Sequence, residues 1–89
     1  MGYSYAAEKQ GIFTEAGQVK FLEVRDAVKT LLKSAGAFRM DALHVTGDSW
    51  LTMDCVDRLV EMGEIVPLRP KDSCWGQYQV YSTPQVHNR

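Results

Sequence analysis

Apolar residues recur at helical spacing in two stretches of the chain. In the first, Phe21, Val24, Val28, Leu31 and Ala35 form a stripe with Leu32 beside it, the three-and-four spacing that gathers side chains on one helix face. Thr14 precedes the stripe as an N-cap, and Glu15 falls where the helix dipole favours a negative charge. Gly36 lies just past the last periodic residue, where the left-handed conformation ends a helix. A first helix over about residues 15–35 is predicted, with Gly17 in its first turn leaving the start free by a few residues. The second stripe is Met53, Val56, Leu59 and Val60, capped by Asp48 or Ser49 and stopped by Gly63, which predicts a third helix over 49–62. Between them, residues 40–45 make a short second helix, set off by Gly36 and by Thr46-Gly47-Asp48.

Past Gly63 the period changes. Ile65-Val66-Pro67-Leu68 is a short apolar run whose proline restricts it to a sheet edge. Arg69-Pro70-Lys71-Asp72-Ser73 is turn chemistry, and Trp75, Tyr78, Val80 and Tyr81 read as a second strand, with Gly76 as a bulge candidate. In that strand Trp75 and Tyr81 share one face, Tyr78 and Val80 the other. One or more of the aromatics closes the core, or they offer a stacking platform. The fold class is α+β, mostly α: three helices closed by a C-terminal two-stranded hairpin. Residues 1–13 form an N-terminal arm without a period, 14–82 the domain and 83–89 a frayed tail. Tyr3, Tyr5, Ile12 and Phe13 make the arm too aromatic for a solvated tail. It folds back on the domain or joins Val19 and Leu22, which face away from the core stripe, in a homodimer contact.

Eighty-nine residues suffice for one domain, and 45% apolar with 24% charged residues is an ordinary globular balance. No run approaches the roughly 18 to 20 apolar residues of a membrane span. The N-terminus lacks the pattern of a secretory leader, and Ala6 breaks that of myristoylation. A cytoplasmic protein is expected. Cys55 and Cys74 belong to no CxxC pair and read as reduced thiols, a disulfide requiring an oxidising compartment. They and His44 and His87 lack metal-ligand spacing, so neither metal nor cofactor is expected. There is no phosphate-cradling glycine loop, HExxH or nucleophile elbow. A Cys/His pair from Cys55 and His44, or an acid pair from Asp54 and Asp57, has no evident pocket to tune it. A binding module is expected, not an enzyme.

The net charge of −1 conceals segregation: residues 1–40 carry +2, residues 41–66 carry −5 and residues 67–89 carry +2. On the first helix Arg25, Lys29 and Lys33 fall at i, i+4 and i+8 as a basic line, either a solvated face or a track for phosphates.

The order helix, short helix, turn, helix, glycine, strand, basic turn, strand resembles the winged-helix family of helix-turn-helix proteins. Val56-Asp57-Arg58-Leu59-Val60-Glu61-Met62-Gly63-Glu64-Ile65 carries the likeness: an apolar pair ends the helix, then come a glycine and an apolar residue opening the wing. The resemblance covers about residues 18–82. It implies a third helix laid in the DNA major groove and a basic wing on the backbone. Carried onto this chain, Ser49, Trp50 and Thr52 would face bases. Arg69 and Lys71 in the wing, with Arg39 at the start of the second helix, would meet phosphate. The resemblance thus implies a small DNA-binding regulator or accessory protein; the limited surface of one such module favours binding as a dimer, for which Tyr3, Tyr5, Val19 and Leu22 are the candidate contact.

One feature departs from that family pattern. Helical geometry gathers Trp50, Asp54, Asp57 and Glu61 on the outer face of the third helix, where carboxylates repel phosphate. An alternative follows: a winged helix used for protein contact, its acidic face and Trp50 anchor binding a basic partner.

Overall fold

The computed structural model describes residues 3–45, 47, 49–69 and 78–84, with the side chain of Ser49 excepted. The chain begins with a single helical turn, α1 (Tyr5–Glu8), which runs into a 3₁₀ turn (Lys9–Phe13). The long helix α2 (Glu15–Ala35) follows, then a short strand β1 (Ala37–Arg39) and a second 3₁₀ turn (Met40–Ala42). After them come α3 (Ser49–Glu61) and the strands β2 (Val66–Pro67) and β3 (Val80–Ser82).

Local chemistry sets the ends of both long helices. Thr14 caps α2, its hydroxyl accepting from the Gly17 N–H at 3.0 Å, and Gly36 ends the helix with φ 78°. The C-terminus of α3 turns on Gly63, at φ 80°. There the Glu64 N–H reaches the Leu59 carbonyl at 2.9 Å and the Gly63 N–H that of Val60 at 3.0 Å. This paired closure, with glycine in the left-handed region, satisfies carbonyls that the helix leaves open. Both glycines stand where the hydrophobic periodicity stops.

The sheet is antiparallel in the order β1-β3-β2, so the central strand is the last. Phe38 pairs with Tyr81 across β1 and β3, and their rings stack 5.4 Å apart. Pro67 sits on the outer strand β2, where its missing N–H costs no ladder bond. Behind the sheet, α2 and α3 pack on each other around Val24, Val28, Val56, Leu59 and Ile65, all buried.

Two elements differ from the sequence reading. The sheet has three strands rather than a two-stranded hairpin, because Ala37-Phe38-Arg39 adds a strand too short to show a period. The short second helix reduces to the 3₁₀ turn Met40–Ala42. The Met40 N–H is engaged by the Gln79 carbonyl at 2.8 Å, and six residues are too few to offset helix nucleation. Arg39 therefore lies on β1, not at a helix start. Trp75, Gly76, Lys71 and Cys74 lie outside the described residues, as do 85–89 of the expected tail. No described helix is long and apolar enough to cross a membrane.

Candidate functional site

The outer face of α3 is covered by the chain's own N-terminal arm, residues 3–13. Ile12 anchors the arm in the core, a burial contributing about 1.5 to 3 kcal/mol. The arm then joins α2 through a close clasp. Thr14 Oγ1 donates to the Gly11 carbonyl at 2.9 Å, and Gln18 Nε2 to the Ile12 carbonyl at 2.7 Å. A Cβ on Gly17 would stand 1.9 Å from the Gly11 carbonyl oxygen, so only glycine admits the arm this close.

From that anchor the arm reaches along the carboxylates of α3. The Tyr3 hydroxyl donates to Asp57 Oδ2 at 2.7 Å, and the Tyr5 hydroxyl to Glu61 Oε1 at 2.6 Å. Glu61 also accepts from Lys9 Nζ at 2.9 Å and from the Arg58 guanidinium at 2.8 Å. Hydrogen bonds from Lys9, Tyr5 and Arg58 hold its carboxyl at about 2. Burial and the Asp57 hydrogen bond push the Tyr3 phenol well above its ordinary range. Tyr3 packs edge-on against Trp50, their rings 6.2 Å apart.

Asp54 lies on this face and is fully buried, with no hydrogen-bond partner for either carboxylate oxygen among the described residues. A methyl placed on Gly11 would lie 4.0 Å from its Oδ2, which locates the carboxylate under the arm. Burial, then the charges of Glu8 and Asp57, raise Asp54 to about 6.

These contacts correct the expectation of an acidic face turned to solvent. Trp50, Asp54, Asp57 and Glu61 do share the side of α3 away from the core, but the arm lies along it: Asp54 is buried and Asp57 half-buried, while Trp50 and Glu61 stay exposed. Thr52, expected to face bases, is buried instead, because the core side of α3 is centred on Thr52, Cys55, Val56 and Leu59. Met53 and Val60, expected in the stripe, flank it half-buried. Tyr3 and Tyr5 seat on α3, not beside Val19 and Leu22, which stay 68% and 57% exposed.

A second group of expected residues converges at one end of the sheet. Arg39 leaves β1 with its guanidinium over the Tyr78 ring, 5.3 Å from the centroid. Arg69, following β2, donates to the Tyr78 carbonyl at 3.3 Å. Gln79 fixes the junction: its side-chain oxygen accepts from the N–H groups of Arg69 and Val80, and its nitrogen donates to the Arg69 carbonyl. Asp41 binds Arg39 at 2.6 Å, neutralising part of its charge and raising its pKa. Arg39, Arg69 and Tyr78 are all exposed. Sequence spacing gave no sign that Arg39 stands beside the hairpin, since only the β1–β3 pairing brings it there. Trp50 is 40% exposed at the start of α3. The side chain of Ser49 and all of Lys71 lie outside the described residues.

Cys55 is a buried free cysteine whose thiol burial pushes up to about 11, which keeps it protonated. His44 is exposed. No group of three His, Cys, Asp or Glu among the described residues is placed to hold a metal ion. No family model, curated protein or solved structure matches the chain.

Proposed function

We propose that the chain is a winged-helix-like domain that binds duplex DNA through the sheet end bearing Arg39, Arg69 and Tyr78. The order α2, α3 and hairpin supports the winged-helix likeness. The observation that carries the functional reading is the convergence of two guanidiniums, one from β1 and one from the segment after β2, on one exposed tyrosine. Arginine grips phosphate bidentately, and an aromatic beside it offers a face for a sugar or an unpaired base. The start of α3, with Ser49 and Trp50, is the part of that helix left to approach a groove, because the arm occupies its remaining outer turns. Carboxylates that would repel phosphate are meanwhile engaged or buried beneath the arm.

Fluorescence anisotropy with a labelled random duplex over a salt series tests this. The doubly substituted Arg39→Ala/Arg69→Ala protein should bind at least about tenfold more weakly, with a log–log salt slope shallower by about 2. Unchanged affinity and slope would remove the sheet end from the interface.

A second reading is favoured by Asp54. A buried carboxylate with no hydrogen-bond partner among the described residues is unfavourable for the seated arm. An arm that lifted would bare Trp50, Asp54, Asp57 and Glu61 to a basic protein partner. Tyr3→Phe/Tyr5→Phe, which removes both hydroxyl latches, should then raise affinity for a lysine-rich peptide several-fold. An unaltered affinity would retire this reading.

A further inference from the structure

Away from the sheet end and the arm, α2 borders an open groove of about 310 Å³. Its floor is apolar: Val28, Leu59 and Ile65 are buried, and Leu32 is half-buried along one wall. Its rim is cationic, formed by Arg25, Lys29 and Lys33. Glu64 on the far side binds Arg25 at 3.0 Å. Lys29 and Lys33 are in no ion pair among the described residues. The groove thus combines an apolar trough with two uncompensated positive charges.

We propose that this groove docks an acidic amphipathic segment of a partner protein, independently of any DNA contact. Charge complementarity selects the occupant. The rim cations are spaced one per helical turn, about 6 Å apart, along the wall rather than clustered at one end. An occupant with carboxylates distributed along its length meets Lys29 and Lys33 together, whereas a fatty carboxylate has one charged head and satisfies one of them. The apolar floor is a poor surface for a phosphate backbone and a good one for a Leu or Phe anchor flanked by acids. Residues 85–89, which follow Thr83 at the groove wall, read Gln-Val-His-Asn-Arg and bring one cation, Arg89, and none of the acidic side chains this rim calls for. A second copy of the chain is also a poor occupant through α3, because its arm covers those carboxylates.

The test uses the full chain and a fluorescein-labelled peptide of about 14 residues with Leu and Glu at helical spacing. Counterparts carry Gln or Lys in place of Glu. Anisotropy should show saturable binding of the Glu peptide only. Lys29→Glu/Lys33→Glu should weaken it at least about tenfold and confer binding of the Lys peptide, with only a small fall in Tm, since both side chains are exposed and the one structural loss is the favourable charge of Lys33 in the last turn of α2. Equal binding of the Glu and Gln peptides, or no loss in the doubly substituted protein, overturns the proposal. So does dodecanoate that displaces the Glu peptide at equal concentration, which would make the site one for a single-headed amphiphile. Sedimentation showing a dimer that the same substitutions dissociate also overturns it, in favour of a self-contact. Amide shifts on adding the Glu peptide should fall at Val28, Lys29, Leu32 and Ile65; shifts confined to Arg39, Arg69 and Tyr78 would contradict it.

Discussion

Asp54 lies on α3 beneath the arm, with no hydrogen-bond partner for either carboxylate oxygen among the described residues. Its pKa of about 6 lies above the ordinary 3.8, so its protonated form favours folding. The contribution is fully present below pH 3.8 and is lost as pH rises through about 6. Glu61 runs the other way. Its value of about 2 lies below the ordinary 4.5, so its contribution is present above pH 4.5 and fades as pH falls toward 2. Together they predict a stability maximum near pH 4 to 5, measurable by thermal melts across pH. Asp54→Asn keeps the shape and drops the charge. It should stabilise the fold by about 1 to 3 kcal/mol at pH 7 and give little gain below pH 3.8. A Tm unchanged at pH 7 would mean that Asp54 is solvated rather than buried.

At the scale of elements, the junction of arm and α2 depends on the absence of a side chain at position 17. Gly17→Ala favours an isolated helix, yet here its Cβ would overlap the Gly11 carbonyl. It should destabilise the domain by about 1 to 3 kcal/mol in denaturant unfolding. A neutral or stabilising effect would show that the arm is not clasped to the helix.

The bounds 15–35 and the glycine stop of α3 followed from periodicity and capping, which are local. The opposed placement of Trp50, Asp54, Asp57 and Glu61 followed from helical geometry. The burial of Asp54 and the engagement of Asp57 and Glu61 did not, because they depend on a segment about fifty residues away whose tyrosines have no period. Phe38 and Arg39 were illegible as a strand for the same reason: three residues pair only when Val80–Ser82 arrives. The core stripe of α3 was placed too far toward Met53 and Val60 because Thr52 and Cys55, small and weakly polar, do not register as core residues.

Across the whole molecule, folding redistributes the charges that the sequence segregates. In the acidic middle third, Asp57 and Glu61 are engaged by an arm that supplies Tyr3, Tyr5 and Lys9, and Asp54 is buried beneath it. Arg39 and Arg69 are left at one end of the sheet, and Lys29 and Lys33 beside an apolar groove. A domain with a net charge of −1 thereby keeps local positive surfaces whose range is about a Debye length, roughly 8 Å at physiological salt.

DNA is proposed to meet the sheet end while the arm stays on α3. Amide chemical-shift mapping of the labelled protein on titration with a short duplex distinguishes this from arm release. Shifts should concentrate at Arg39, Arg69, Tyr78 and Trp50, leaving Tyr5, Asp57 and Glu61 in place. Shifts spread across Asp54, Asp57 and Glu61 with release of the arm, or none at Arg39 and Arg69, would contradict it.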